Sequence, residues 1–299
     1  MTDRPAITEF LRTRRARITP QQAGLPAYGG NRRVPGLRRE EVAMLAGVSV
    51  DYYVRLERGN LAGASDSVLD ALADALQLDD AERSHLYDLA RAAGPASSRT
   101  ASRAAGRRAP ASVPPTVQRI LDSITAPAWV RNGRLDHLAH NRASRALYAP
   151  LLASGERPVN TARYVFLDPG SRAFFDDWRQ AASDVTALLR MEAGKRPHDP
   201  ALTQLIGELS TRSEEFRTLW ARHDVKFHRS GAKRLNHPAV GAIDLEFEGM
   251  SLPSDPDLTL VVYAVAPGSA TADALQLLEH WADDQEAAGL LADVDGGAR

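Results

Sequence analysis

The side chains with the plainest chemistry stand in one short run. Val50, Asp51, Tyr52 and Arg55 follow Ser49, and Arg58 closes the run before Gly59. Residues three or four apart share a helix face, so Asp51 and Arg55 point the same way. A guanidinium placed there can donate two hydrogen bonds to guanine O6 and N7. A carboxylate can accept from a cytosine amine, or it can simply favour the positive end of a helix. Tyr52 suits a thymine methyl or a phosphate. Arg38, Arg39 and Arg58 suit phosphates, which set register rather than sequence. Arg55 is the best candidate for reading a base, because one good bidentate contact discriminates by roughly 1–3 kcal/mol.

Presenting that run requires two short helices around a tight turn, spanning residues 38–59. The first carries Val42, Ala43, Leu45 and Ala46 on one side. Gly47 ends it, since the residue past a helix C-terminus usually needs positive φ. Val48 packs the corner, and Ser49 supplies an oxygen to cap the second helix. Tyr53 and Leu56 then face inward, while Val50, Asp51, Tyr52, Arg55 and Arg58 face out. This is the helix-turn-helix layout, whose second helix enters the DNA major groove. Glu57 is expected to pair with an arginine of the chain's first helix, such as Arg14 or Arg15, rather than to touch DNA.

Charge agrees with that reading. From Arg4 to Arg58 there are 11 arginines against 5 acidic residues, whereas from Ala111 onward there are 20 basic against 25 acidic. A basic head on an acidic body fits phosphate binding at one end. The 299 residues, 43% of them hydrophobic, are enough for two domains with cores. The absence of cysteine excludes disulfides, thiolate metal sites and cysteine nucleophiles. No long apolar run or signal-peptide layout is present, so a cytoplasmic protein without membrane partners is expected. No cofactor is implied.

Along the chain, five helices account for residues 8–93, including one from about Thr8 to Arg17, one from Asp66 to Leu76 and one that Asp79 and Asp80 start and that reaches about Ala92. A Gly/Pro-rich connection over residues 19–36 carries Arg32 and Arg33, and either follows the DNA backbone or is a solvated loop. Residues 94–115 hold few large apolar residues and read as a flexible linker, in which Arg99, Arg103, Arg107 and Arg108 can add non-specific DNA affinity. A second domain follows over 116–284. Residues 128–139 read as a hairpin turning at Asn132-Gly133. Helices are expected at about 141–150, 160–167, 170–193, 198–210 and 213–222. Strands are expected at Val225–His228, Ala242–Glu248 and Leu258–Val265, with Ile243, Leu245 and Phe247 facing inward. A last helix over Thr271–Ala282 precedes a disordered tail, 285–299. The fold class is therefore an all-α N-terminal helix-turn-helix domain (1–93) plus an α+β C-terminal domain.

These residues resemble the xenobiotic-response-element (XRE) class of helix-turn-helix regulators, through Gly47-Val48-Ser49 and Arg55-Leu56-Glu57-Arg58-Gly59. The whole chain is similar to the narrower MmyB-like group of transcription regulators. The marks are Val34-Pro35-Gly36-Leu37-Arg38-Arg39-Glu40-Glu41-Val42, Asn141 with Arg145-Ala146-Leu147-Tyr148, and Phe166-Leu167-Asp168-Pro169. Phe216 to Val225, Asn236-His237-Pro238, Gly241 and Val261-Val262-Tyr263 complete them. The resemblance implies a PAS-like C-terminal domain that holds a small, largely apolar ligand, with a fatty-acid-like molecule as the suggestion. Departures fall at Arg131-Asn132-Gly133-Arg134 and Leu138-Ala139-His140-Asn141, the second lacking a common aromatic residue.

For such a pocket the candidates are Trp129, Tyr148, Trp178, Trp220, His223, Phe247 and Tyr263, although aromatic residues in a small domain also serve as plain core. His223, Asp224 and His228 invite a metal or acid–base reading, but their spacing suits one helical face poorly and no third ligand is evident. Asp168-Pro169-Gly170 reads as a cap and turn. One helix-turn-helix covers half a site, so a homodimer on a near-palindromic double-stranded operator is expected. The leading reading is a ligand-responsive transcription factor and not an enzyme. The alternatives are a DNA-binding protein whose second domain only dimerises, and a hydrolase using His and Asp, which no elbow, zinc or phosphate-loop motif supports.

Overall fold

The computed structural model describes residues 4–25, 34, 36–94, 113–155, 158–225 and 230–287. The chain divides into two compact units. One gathers Met1–Gly106 with Arg190–Thr203 and Thr218–Phe227; the other comprises Arg107–Leu189, Gln204–Arg217 and His228–Arg299.

In the first unit, α1 (Arg4–Arg17), α2 (Arg39–Leu45), α3 (Val50–Glu57), α4 (Asp66–Ala75) and α5 (Asp80–Ala93) form the N-terminal helical region. The last three start where the sequence supplies an oxygen. Ser49, Ser65 and Asp79 accept from the backbone N–H of Tyr52, Val68 and Glu82. Glu82 answers by accepting from the Asp79 N–H, completing a capping box. The apolar sides meet in one core built on Ile7, Phe10, Leu11, Tyr53, Leu56 and Leu72, which Met191 and Val225 join. Helix α1 starts four residues earlier than the apolar spacing indicates, because Pro5 is tolerated in a first turn. Leu45 differs from expectation: it is 37% exposed, because Val42, Ala43 and Ala46 already fill the buried side of α2. Arg32 and Arg33 lie outside the described residues, as do the linker arginines Arg99, Arg103, Arg107 and Arg108.

The second unit is α+β and PAS-like. Its antiparallel sheet has the order β2-β1-β5-β4-β3. The strands are β1 (Ala128–Asn132), β2 (His137–His140), β3 (Ser230–His237), β4 (Gly241–Leu252) and β5 (Asp255–Ala264). The helices around the sheet are α6 (Pro115–Ser123), α7 (Arg142–Leu147), α8 (Ala149–Leu152), α9 (Thr161–Leu167), α10 (Ser171–Phe174), α11 (Trp178–Lys195), α12 (Pro200–Arg212), α13 (Glu214–Trp220) and α14 (Ala270–Ala287). The last turn of α11, the first turn of α12 and the end of α13 belong to the first unit.

One sheet face packs Ala128, Val130, Leu258 and Leu260 against Val117 and Leu121 of α6. Fully burying each of those two α6 side chains stabilises by about 1.5–3 kcal/mol. Asn141 fixes the join between α6, β1 and α7. Its Oδ1 accepts from the N–H of Ala128 at 3.0 Å and of Ser144 at 2.9 Å, while Nδ2 donates to the carbonyls of Ile124 and Ala126. Along β4, Ile243, Leu245 and Phe247 are buried and alternate with exposed Asp244, Glu246 and Glu248.

Several expected boundaries move. The hairpin turns at Gly133 and Arg134, with Leu135 at φ +67°, because the Asn132 side chain itself accepts from the N–H of Arg134 and Asp136. The helix expected over 170–193 is split at Phe175–Asp177, where Phe175 bridges to Leu235 of β3. Val225 is not in a strand, and residues 226–229 lie outside the described set. The third strand begins instead at Ser230. The last helix continues to Ala287, and the rest of the expected tail is outside the described residues.

Candidate DNA-binding surface and ligand site

The turn between α2 and α3 is built as the spacing requires. Gly47 has φ +64°, and the Val48 N–H donates to the Ala43 carbonyl at 2.9 Å, closing the end of α2. Ser49 Oγ accepts from the Tyr52 N–H at 3.2 Å and opens α3. Gly59 ends the motif for a different reason. A Cβ there would stand 2.6 Å from the Arg4 carbonyl oxygen, so only glycine lets the chain pass the start of α1.

Tyr53 and Leu56 are buried, and Val50, Asp51, Arg55 and Arg58 are exposed on the opposite side of α3. Tyr52 is half-buried, and the Arg55 guanidinium carbon lies 4.8 Å from its ring centre. That stacking preorganises the arginine without using its N–H donors. Arg38 is exposed, with a loose 3.6 Å contact to exposed Glu40, and its backbone N–H donates to Glu41 Oε2. Arg39 has a partner that local spacing does not reveal: its Nε donates to Glu57 Oε2. The other Glu57 oxygen accepts from Arg15 Nε at 2.6 Å, and Arg15 Nη1 also donates to the Leu37 carbonyl at 2.8 Å. Glu57 thus ties α1, α2 and α3 together. Tyr53 Oη stands 3.4 Å from it, and burial, followed by the Glu57 charge, pushes that phenol well up. Met44, which the spacing does not single out, is exposed near the end of α2.

In the second unit, four of the seven aromatic and histidine candidates converge. Ring centres of Trp129 and Tyr148 are 4.9 Å apart, Trp129 and Tyr263 5.2 Å, and Phe247 and Tyr263 6.2 Å. The hydroxyls of Tyr148 and Tyr263 share a hydrogen bond of 2.5 Å, and burial pushes both phenols up. His137 lies parallel to Trp129 at 5.9 Å and continues the cluster into a chain of polar groups. Its Nδ1 bonds His140 Nε2 at 3.0 Å, its Nε2 bonds Thr161 Oγ1 at 2.7 Å, and His140 Nδ1 bonds Ser144 Oγ at 2.9 Å. Burial brings the His140 imidazole down to about 3 and His137 well below its usual value, so both rings are neutral. Sequence reasoning missed this chain. Its one signal is a strand with histidine at both ends, His137 and His140.

The other three candidates lie elsewhere. Trp178 packs edge-on against Phe166 at 6.2 Å, under the Arg172 guanidinium, and donates to the Val165 carbonyl. Trp220 and His223 belong to the first unit. The Arg190 guanidinium lies 3.6 Å from the Trp220 ring centre and donates to the Trp220 carbonyl. The His223 carbonyl accepts from buried Arg14, and burial brings the His223 ring down to about 4. Asp224 is engaged by Arg17. His228 lies outside the described residues. Asp168 Oδ1 accepts from the Gly170 N–H at 2.8 Å, a turn. It also borders a cavity of about 100 Å³ with Arg163, Tyr164 and Arg212. Glu208 already pairs with both of those arginines. Among the described residues no metal-binding group of three or more side chains occurs, and no helix is long and apolar enough to cross a membrane.

Comparison with known families gives two matches. A helix-turn-helix domain model matches residues 6–86. The model of the MmyB-like transcription regulator ligand binding domain matches residues 113–278, more than half of the chain. No curated protein matches the chain.

Proposed function

The chain belongs to the MmyB-like transcription regulators, and from that membership we propose how this DNA-binding regulator reads its operator and what its second unit senses. The two domain matches make it a DNA-binding transcription regulator with a ligand-binding domain. Helix α3 enters the major groove. Arg55 reads a guanine, Val50, Asp51 and Tyr52 flank it, and Ser49, Arg38, Arg39 and Arg58 hold the phosphate backbone. The observation that carries this reading is the exposed side of α3: Arg55 is exposed and stacked on Tyr52, and its guanidinium makes no hydrogen bond among the described residues.

The domain over 116–284 takes a small, largely apolar ligand, with Trp129, Tyr148, Phe247 and Tyr263 as its wall. The burial of those four rings together supports this. A fatty-acid-like molecule is the family's suggestion. The regulator acts in the cytoplasm as a homodimer on a near-palindromic operator, and it is not an enzyme. Ligand binding shifts populations by favouring one state of the protein over another.

Selection of bound DNA from a random pool tests the first part. With Arg55→Ala, base preference relaxes at one position in each half-site, a loss of about 1–3 kcal/mol of discrimination. Uniform weakening with unchanged preference refutes base reading by Arg55. Single half-sites in the selected pool refute the dimer. Native mass spectrometry of the purified chain tests the ligand, which registers as added mass in the regulator.

A further inference from the structure

One side chain on the inner face of the sheet is out of place. Lys233 is half-buried on β3, and it makes no ion pair or hydrogen bond among the described residues. Its ammonium nitrogen lies 4.9 Å from the Phe247 ring centre. Burial brings the ammonium down to about 8; Asp184 of α11 opposes this shift and Arg131 adds to it. A lysine is seldom held this way without a carboxylate.

The strands β1, β5, β4 and β3 are neighbours in that order. On one face they carry Trp129, Tyr263, Phe247 and Lys233 in succession. Phe247 is opposite Gly231 in register, and a Cβ at Gly231 would press to 3.2 Å from its ring, so the ring lies over a bare backbone. The result is a stripe of flat rings with an ammonium at one end.

The other end has donors left over. Trp129 is 4% exposed, and its Nε1 has no hydrogen-bond partner among the described residues. The Tyr148 and Tyr263 hydroxyls bond each other. Two hydroxyls hold two protons and one bond uses one of them, so the second meets no acceptor among the described residues. A buried N–H and a buried O–H without acceptors are costly, and a bound group that accepts from them removes that cost.

We infer that this inner sheet face binds a flat aromatic carboxylate carrying a second oxygen at its far end, with Lys233 holding the carboxylate and Trp129 with the Tyr148–Tyr263 pair donating to that oxygen. The Lys233 ammonium sits over Phe247 on β4, two strand spacings from β1, so the polar ends of the ligand are roughly 10 Å apart. That is the length of a bicyclic aromatic acid. The rings of Tyr263 and Phe247 supply faces and edges for stacking along that length. An aliphatic acid meets the ammonium equally well but leaves the far donors unanswered. This inference rests on the reading that the second unit takes a small ligand, and it replaces the aliphatic suggestion with an aromatic one.

Calorimetric titration of the full chain tests it with four probes: 6-hydroxy-2-naphthoate, 2-naphthoate, 2-naphthol and dodecanoate. The hydroxynaphthoate is expected to bind at least tenfold more tightly than 2-naphthol. Lys233→Met removes that difference and Lys233→Arg retains it. Trp129→Phe removes the preference for the hydroxynaphthoate over 2-naphthoate. Thermal unfolding of each variant checks that it folds as the parent does. Equal binding of acid and naphthol, or tighter binding of dodecanoate untouched by Lys233→Met, overturns the inference and leaves the small-ligand reading standing. Failure of every probe to bind also overturns it. In that case native mass spectrometry decides the small-ligand reading separately, since a co-purified molecule sustains it and an empty chain does not.

Discussion

Removing the Glu57 carboxylate should loosen the whole DNA-reading head. Its side chain is 3% exposed and holds Arg15, which is 14% exposed, and Arg39, which is 53% exposed. The two arms differ in worth. Breaking a buried pair by deleting one partner destabilises by about 3–5 kcal/mol, because the other charge stays buried and uncompensated. The Arg39 arm is open to solvent and adds at most about 1 kcal/mol. The Leu37 carbonyl still accepts from Arg15 Nη1, which places the total near the lower end of that range. Glu57→Ala should therefore destabilise the head by about 3–4 kcal/mol. Glu57→Gln keeps an acceptor for Arg15 and should lose about half of that.

Scanning calorimetry of the full chain reads the effect. One kcal/mol shifts the melting temperature of a domain of about 60–100 residues by roughly 4–8 °C, so Glu57→Ala should lower the head's transition by at least about 12 °C. The double substitution Arg15→Met with Glu57→Leu removes both buried charges and fills similar volume. It should recover to within about 1 kcal/mol of the parent, since apolar replacement of a buried pair is often neutral. A loss below about 1 kcal/mol for Glu57→Ala refutes the reasoning. A double variant no more stable than Glu57→Ala would refute it too, by tracing the loss to packing rather than to an orphaned arginine.

Three further outcomes follow from the same geometry. Arg38→Ala should lower the slope of log affinity against log salt by about 1 and weaken all DNA sequences alike, as measured by fluorescence anisotropy at several salt concentrations. Ser49→Ala deletes the oxygen that caps α3 and should destabilise the head by about 1 kcal/mol in urea unfolding, with Ser49→Asp restoring it. His140 titrates near 6.5 when unfolded but is held down to about 3 in the fold. Between those values the unfolded chain binds the proton and the fold does not, so stability is complete above about 6.5 and falls as the pH drops through that window. His140 alone contributes up to about 1.4 kcal/mol per pH unit there, and His140→Gln should flatten the urea-unfolding profile by that amount.

Local chemistry made the head legible. Gly47, Ser49 and the pair Tyr53 and Leu56 act within one turn of each other, so their spacing alone specifies the corner. The Arg15–Glu57 pair was also readable, since both residues face the same core. The Arg39–Glu57 bond was not, because it needs the angle between α2 and α3, which no local rule supplies. The second unit was less legible where its backbone carries the information. Strand β3 runs Ser230–His237 through Lys233, Arg234 and Asn236, and it pairs with β4 by main-chain bonds rather than by an apolar alternation. The Asn132-Gly133 pair normally signals a two-residue turn. Here Asn132 uses its own side chain to hold Arg134 and Asp136, which shifts the turn by one residue. Trp220 and His223 show a further limit: aromatic type marks burial, but it does not say against which partner.

The two units also leave their polar groups unspent in opposite places. In the head, the exposed cations of the α2–α3 corner face water, and the inward cation Arg15 is neutralised by Glu57. Recognition built this way is electrostatic, long-ranged and weakened by salt. In the second unit the unanswered donors, the Trp129 N–H and one tyrosine hydroxyl, are inside, among rings. Bonds to those donors are short-ranged and little screened by salt, because ions do not reach a buried bond.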